Sequence, residues 1–162
     1  MKFIVGFVFA FFLISDLQAS NFSFGVMGGI EFPFTHRQRL DLGPRVDAFY
    51  RLDPYEVRFH YSHQNEDYYG IVLGRKHFFS QEEVRPFVEV AGGLAFVDTS
   101  GEGLAYGFHP ELSAGAELAI NQNFSTIIAT RYSVYWYFGE TSSGSMEAHH
   151  SLNVLAGVTL WF

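Results

Sequence analysis

The chain of 162 residues has no cysteine. No disulfide can hold it in any compartment, so its stability has to come from packing, hydrogen bonding or a membrane. It also lacks an apolar run long enough to cross a bilayer as a helix. The longest, Phe3 to Ile14, falls short of the roughly 20 residues such a crossing takes. Positive charge is scarce as well: ten Lys and Arg stand against seventeen Asp and Glu, a net charge of -7, and an acidic balance excludes nucleic acid as the expected partner. Beyond the first twenty residues no stretch shows helical periodicity, which leaves strands as the regular structure to look for.

What the chain has in excess is aromatic rings, 19% of its residues, more than a soluble core needs. It starts "MKFIVGFVFAFFLISDLQAS", with one early positive charge at Lys2, the apolar run, then small and polar residues to Ala19. That pattern reads as a secretory signal over residues 1–19. Its removal takes one charge of each sign and leaves 20–162, a length that suits one domain.

A period of two fits almost all of that remainder. In "NFSFGVMGGIEF", Phe22, Phe24, Val26, Gly28, Ile30 and Phe32 fall on one face, with Ser23, Gly25, Gly29 and Glu31 on the other. Further segments repeat the pattern around "PRVDAFYRL", "EVRFHYS", "YYGIVLGRKHFF", "RPFVEVAGGLAF", "ELSAGAELAI", "FSTIIATRYSVYWYF" and the closing "SLNVLAGVTLWF". These eight segments of about ten residues match tilted strands that cross a bilayer. The connections between them alternate long and short. The longer ones, 34–43, 62–68, 97–108 and 139–148, predict loops at the outer end, carrying His36, Arg37, Arg39 and Tyr106. The fold class predicted is an all-β, eight-stranded antiparallel up-and-down transmembrane barrel.

Charge placement decides which face is outside. Opposite the apolar faces lie Arg45, Arg51, Arg58, Arg85 and Arg131 together with Glu31, Asp47, Glu56, Glu89, Glu111 and Glu117. A narrow barrel interior demands such a balance, because each enclosed charge needs a partner to offset its desolvation. The apolar faces gather aromatics near strand ends, where membrane-interface girdles sit. A soluble lipocalin-like barrel and a narrow channel are the alternatives with the same alternation.

The signal, the eight alternating strands and a last strand ending in Trp161-Phe162 resemble the small outer-membrane β-barrel proteins of Gram-negative bacteria, the OmpA-like and OmpW-like barrels. The resemblance implies membrane lipids and lipopolysaccharide as surroundings, and the barrel-assembly machinery and periplasmic chaperones as partners in biogenesis. It also implies that Trp161 and Phe162 serve as assembly signal and interface anchor. "RPFVEVAGGLAF" and "AGAELAINQNFS" are similar to the middle strands of the lipid A 3-O-deacylase barrels, whose activity implies a His-x-Ser pair on the following strand. The matching place reads Arg131-Tyr132-Ser133, and an arginine does not deprotonate to act as base. A second His-x-Ser, His149-His150-Ser151, faces inward by the phase of Leu152 to Phe162, away from any lipid.

Neither His60 with His63 nor His149 with His150 shares a strand face, so those pairs offer no metal site, and no cofactor is expected. The interior charges predict a plugged lumen, not a wide pore. The expected role is non-enzymatic, structural or surface interaction through the outer loops, with a deacylase-like enzyme as the alternative. Deleting Phe162 should reduce insertion into the outer membrane while export continues, measured by fractionation of the truncated protein; equal assembly of both forms contradicts the assembly role.

Overall fold

The computed structural model describes residues 22–34, 42–64, 66–99, 103–138 and 147–162. The signal at 1–19, the loop residues His36, Arg37 and Arg39, and 139–146 lie outside the described residues. Every regular element described is a strand: β1 Phe22–Pro33, β2 Gly43–Leu52, β3 Tyr55–His63, β4 Asp67–Phe78, β5 Val84–Thr99, β6 Gly103–Asn121, β7 Phe124–Phe138 and β8 Glu147–Trp161. Each pairs antiparallel with its sequence neighbour, and β8 closes on β1 to give an eight-stranded barrel. Closure leaves no edge with unpaired backbone groups, the condition for a sheet to sit in hydrocarbon.

Side-chain alternation follows the strands, with a register shift between β6 and β7 at Ala119 to Asn121. On β2, Arg45, Asp47, Phe49 and Arg51 are buried while Val46 and Tyr50 are exposed, and the neighbouring β3 buries Glu56, Arg58 and His60 while exposing Phe59 and Tyr61. The polar side is therefore the inside. The apolar side forms a continuous outer belt that includes Val26, Ile71, Leu94, Leu112, Ile128 and Val158. Aromatics border it at the outer end, with Tyr61 beside Tyr69 (ring centroids 5.3 Å apart) and Phe108 stacked near Trp136 (6.1 Å).

The connections at the end that holds the C-terminus, periplasmic in the expected orientation, are tight. Asp53-Pro54 joins β2 to β3, and Gln122-Asn123 joins β6 to β7, where the Asn121 side chain accepts from the Asn123 amide at 2.9 Å, an Asx turn. At the outer end two connections are shorter than the sequence suggests. The expected loop 97–108 is mostly strand: β5 and β6 stay paired up to Thr99 opposite Gly103, so Tyr106 belongs to a strand. The Gly- and Ser-rich composition there reads as loop, but Val97 and Gly107 continue the inward phase and Tyr106 and Phe108 the outward one. The expected loop 62–68 shrinks to the residues between His63 and Asp67. With 16 and 19 residues, β5 and β6 outrun the 9 to 11 or so that a crossing needs.

The C-terminus is tied down. The Phe162 amide donates to the Phe22 carbonyl at 3.1 Å, and the two rings stack 5.1 Å apart. Trp161 departs from the expected anchor at the membrane interface. It has the opposite parity to Phe162 and turns inward, where its indole N–H donates to Ser125 Oγ at 2.9 Å and lies 3.2 Å from Glu117 Oε1. An indole donor is better satisfied by those polar groups than by lipid.

Leu94 stands half-exposed in the outer belt, between Ile71 and Phe108 on the flanking strands. Leu94→Arg should destabilise the barrel by about 2–4 kcal/mol in lipid vesicles, measured by denaturant unfolding. A neutral effect contradicts a lipid-facing belt.

Candidate functional site in the barrel interior

The interior is built in three levels, because successive inward residues on each strand alternate with the outer belt and climb the lumen together. Nearest the periplasm, Arg51 bridges Glu56 (3.1 Å) and Glu117 (2.9 Å), Lys76 reaches Glu56 at 2.7 Å, and Arg85 reaches Glu117 at 3.2 Å. The Arg51 guanidinium also lies 5.3 Å from the Phe49 and Trp161 ring centroids, and Met27, Phe49, Phe87, Ile127, Ala129 and Leu155 pack into an apolar layer inside the barrel.

The middle level is a continuous salt-bridge cluster. Arg58 contacts Glu56 at 2.8 Å, Glu89 at 3.0 Å and Glu111 at 2.5 Å. Arg45 pairs with Asp47 at 2.8 Å and with Glu111 at 2.6 Å, and Arg131 pairs with Asp47. Hydroxyls fill the remaining acceptor positions: Ser133 donates to Glu111 at 3.1 Å and Ser113 to Glu89 at 3.3 Å. All these charged groups are buried, so each depends on its partners in a region from which water is largely displaced.

The outer level changes character. Tyr68, Tyr135 and Tyr137 cluster with centroids 5.6 to 6.3 Å apart. Beneath them His109 stacks on Tyr135 at 4.1 Å, and His60 meets His109 edge-on at 4.6 Å. His60 needs Gly70 beside it on β4: a Cβ there would come within 2.0 Å of the imidazole. Glu31 accepts from the Tyr135 hydroxyl at 3.2 Å.

The eleven interior charges singled out from sequence all point into the lumen, with Arg85 the only one of them partly open, at the periplasmic mouth. Two buried polar groups were missed, Lys76 and His109. Lys76 continues the phase of Gly74 by one step, and His109 precedes Glu111 by two, so extending the alternation at the strand ends finds both. The meeting of His60 with His109 joins strands three apart around the barrel, and no spacing within one strand signals it.

The serines at the deacylase-like positions face the lumen. Ser133 and Ser151 are buried in the lumen, where Asn153 donates to both (3.2 and 3.4 Å). His150 turns outward and shares a 2.6 Å hydrogen bond with the Tyr132 hydroxyl. Its other neighbours on that face, Ala148, Leu152 and Val134, bring no nucleophile.

These features define the class: a small eight-stranded antiparallel barrel with the fold of outer-membrane β-barrel proteins. Among solved structures the chain is similar to the crystal structure of neisserial surface protein A, with 18% identity, a TM-score of 0.66, and 90% of this chain aligned to all of that one. It is also similar to the outer-membrane enzyme PagL, at 12% identity and a TM-score of 0.51, over 83% of this chain and 97% of that one. The attachment invasion locus protein Ail of Yersinia pestis aligns at 13% identity with a TM-score of 0.49, over 90% of this chain and all of that one. No protein-family model and no curated protein sequence matches the chain.

Arg58 holds three carboxylates at once, so Arg58→Met should leave buried negative charge unmatched and cost about 3–5 kcal/mol, measured by urea unfolding of the refolded barrel. A loss below about 1 kcal/mol, the ordinary worth of an exposed pair, contradicts a buried network.

Proposed function

We propose that the chain is an integral outer-membrane protein with a closed lumen, acting at the cell surface through its outer rim and loops and not by lipid hydrolysis or bulk transport. The observation that carries this reading is the separation of charge. The middle of the barrel is filled by paired Arg, Asp and Glu side chains, while the outer belt is apolar and bordered by aromatics. An eight-stranded barrel is just wide enough for its own side chains, so a crosslinked layer of this kind obstructs solute passage.

The outer rim supplies the surface for contact. Tyr61 donates to Asp67 at 2.8 Å, and His63 Nδ1 lies 2.7 Å from the same carboxylate oxygen. Tyr132 with His150 forms a second polar pair. Rings with polar tips at this height suit the boundary between acyl chains and the sugars of lipopolysaccharide.

An enzymatic role, with deacylation the one weighed from the sequence, is the competing reading, and the likeness to the outer-membrane enzyme PagL keeps it in view. Against it stand the inward Ser133 and Ser151, since a nucleophile needs both its base and its substrate within reach. Purified protein in planar bilayers should give no large stable conductance steps, and cells producing it should keep the acylation pattern of their lipid A by mass spectrometry. Stable open steps contradict the closed lumen, and a deacylated lipid A that depends on Ser133 or Ser151 contradicts the non-enzymatic role.

A further inference from the structure

The outer level of the lumen holds a group of atoms that the salt-bridge network leaves unused. Neither ring nitrogen of His60 nor of His109 makes a hydrogen bond among the described residues, although both side chains are more than nine-tenths buried. Burying a polar atom without a partner is costly, and here several lie close together. One ligand atom from each of His60, His109 and Glu111 lies within 4.8 Å of the others. His109 Nε2 sits 3.2 Å from Glu111 Oε1 without the alignment of a hydrogen bond. Two donors bound tetrahedrally to one zinc ion at 2.0–2.1 Å stand about 3.3 Å apart.

We propose that His60, His109 and Glu111 form a binding site for one divalent transition-metal ion of the zinc type inside the outer half of the barrel. Two imidazoles and one carboxylate form a donor set suited to Zn2+, with a fourth position open. They do not suit Ca2+ or Mg2+, which take oxygen ligands. Surrounding charge makes room for a cation. Glu31 is buried beside this level, makes no ion pair among the described residues, and leaves Oε2 without a partner. Glu111 already accepts from Arg45 and Arg58, so Glu31 on the far side of Tyr135 supplies the balancing negative charge. A small cleft at the outer end is lined by Glu31, Gln64, Tyr68 and Tyr135 among others, and Tyr135 stacks on His109. Because His60 is on β3 and the other two ligands are on β6, the ion ties together strands that are not paired through their backbones.

The test uses the full chain refolded in detergent, carrying no histidine tag and stripped of metal by a chelator. Titration with Co2+ should show one ion per chain with the intense visible absorption of a four- or five-coordinate site, displaced by Zn2+. X-ray absorption of the zinc form should show two imidazoles per ion. His60→Ala and His109→Ala should each weaken Zn2+ binding by about a hundredfold or more, beyond what loss of an outer partner costs. His63→Ala, on the outer surface, should leave it unchanged. If a lumen variant fails to refold, the X-ray absorption of the unsubstituted protein decides. Fewer than two imidazoles per ion, no binding at micromolar Zn2+, or binding that persists in His109→Ala or disappears in His63→Ala overturns the proposal.

Discussion

Pairing of charge inside a closed barrel is the constraint on which the rest of this structure depends. Taking an ionised side chain out of water costs several kcal/mol, which only partners at hydrogen-bond distance offset. The lumen here carries Arg45, Arg51, Arg58, Lys76, Arg85 and Arg131 against Glu31, Asp47, Glu56, Glu89, Glu111 and Glu117, and most reach two or more partners. Arg58 and Glu111 connect four strands by themselves: β2 through Arg45, β3, β5 through Glu89 and β6. A shift of any strand from β2 to β7 by one residue would expel its charges into lipid and pull its aliphatic residues inward, so the network fixes the register of those six strands.

The same arrangement shapes where function can reside. The outer belt is free to be apolar because the charge is inside, and the lumen is obstructed because the charge is paired across it. What remains for specific chemistry is the two ends. At the periplasmic end a cleft of about 380 Å3 lies against Arg85, Trp161 and the turn residues Gln122 and Asn123. At the outer end the inward residues change from salt bridges to Tyr and His, and the outward ones to Tyr, Trp and His with polar tips. The layering therefore runs from an apolar and ionic base, through a rigid ionic middle, to an aromatic mouth.

Most of the fold was legible in the sequence, because membrane strands leave a period of two that little else imitates. The phase of Leu152 to Phe162 assigned the closing strand, and the same parity placed all eleven charges inside. Parity also carried information that was not drawn from it: Trp161 has the inward phase, so its indole meets Ser125 and Glu117 instead of the membrane interface. Strand ends were less legible, since Gly103 to Gly107 has the composition of a loop and becomes strand only because β5 offers it a ladder. The outer His cluster was not legible at all. Its members lie on strands three apart, and which residues face each other across a lumen depends on the stagger of the barrel, which local patterns do not encode.

The central claim is that this chain folds as a barrel whose apolar outside is in the outer membrane and whose charged inside is sealed from it. Fractionating cells that produce it, then comparing boiled with unboiled samples on a gel, tests both halves together. The account predicts recovery in the outer-membrane fraction and a folded form that migrates apart from the heat-denatured one. A protein found soluble in the periplasm contradicts it, whatever its migration.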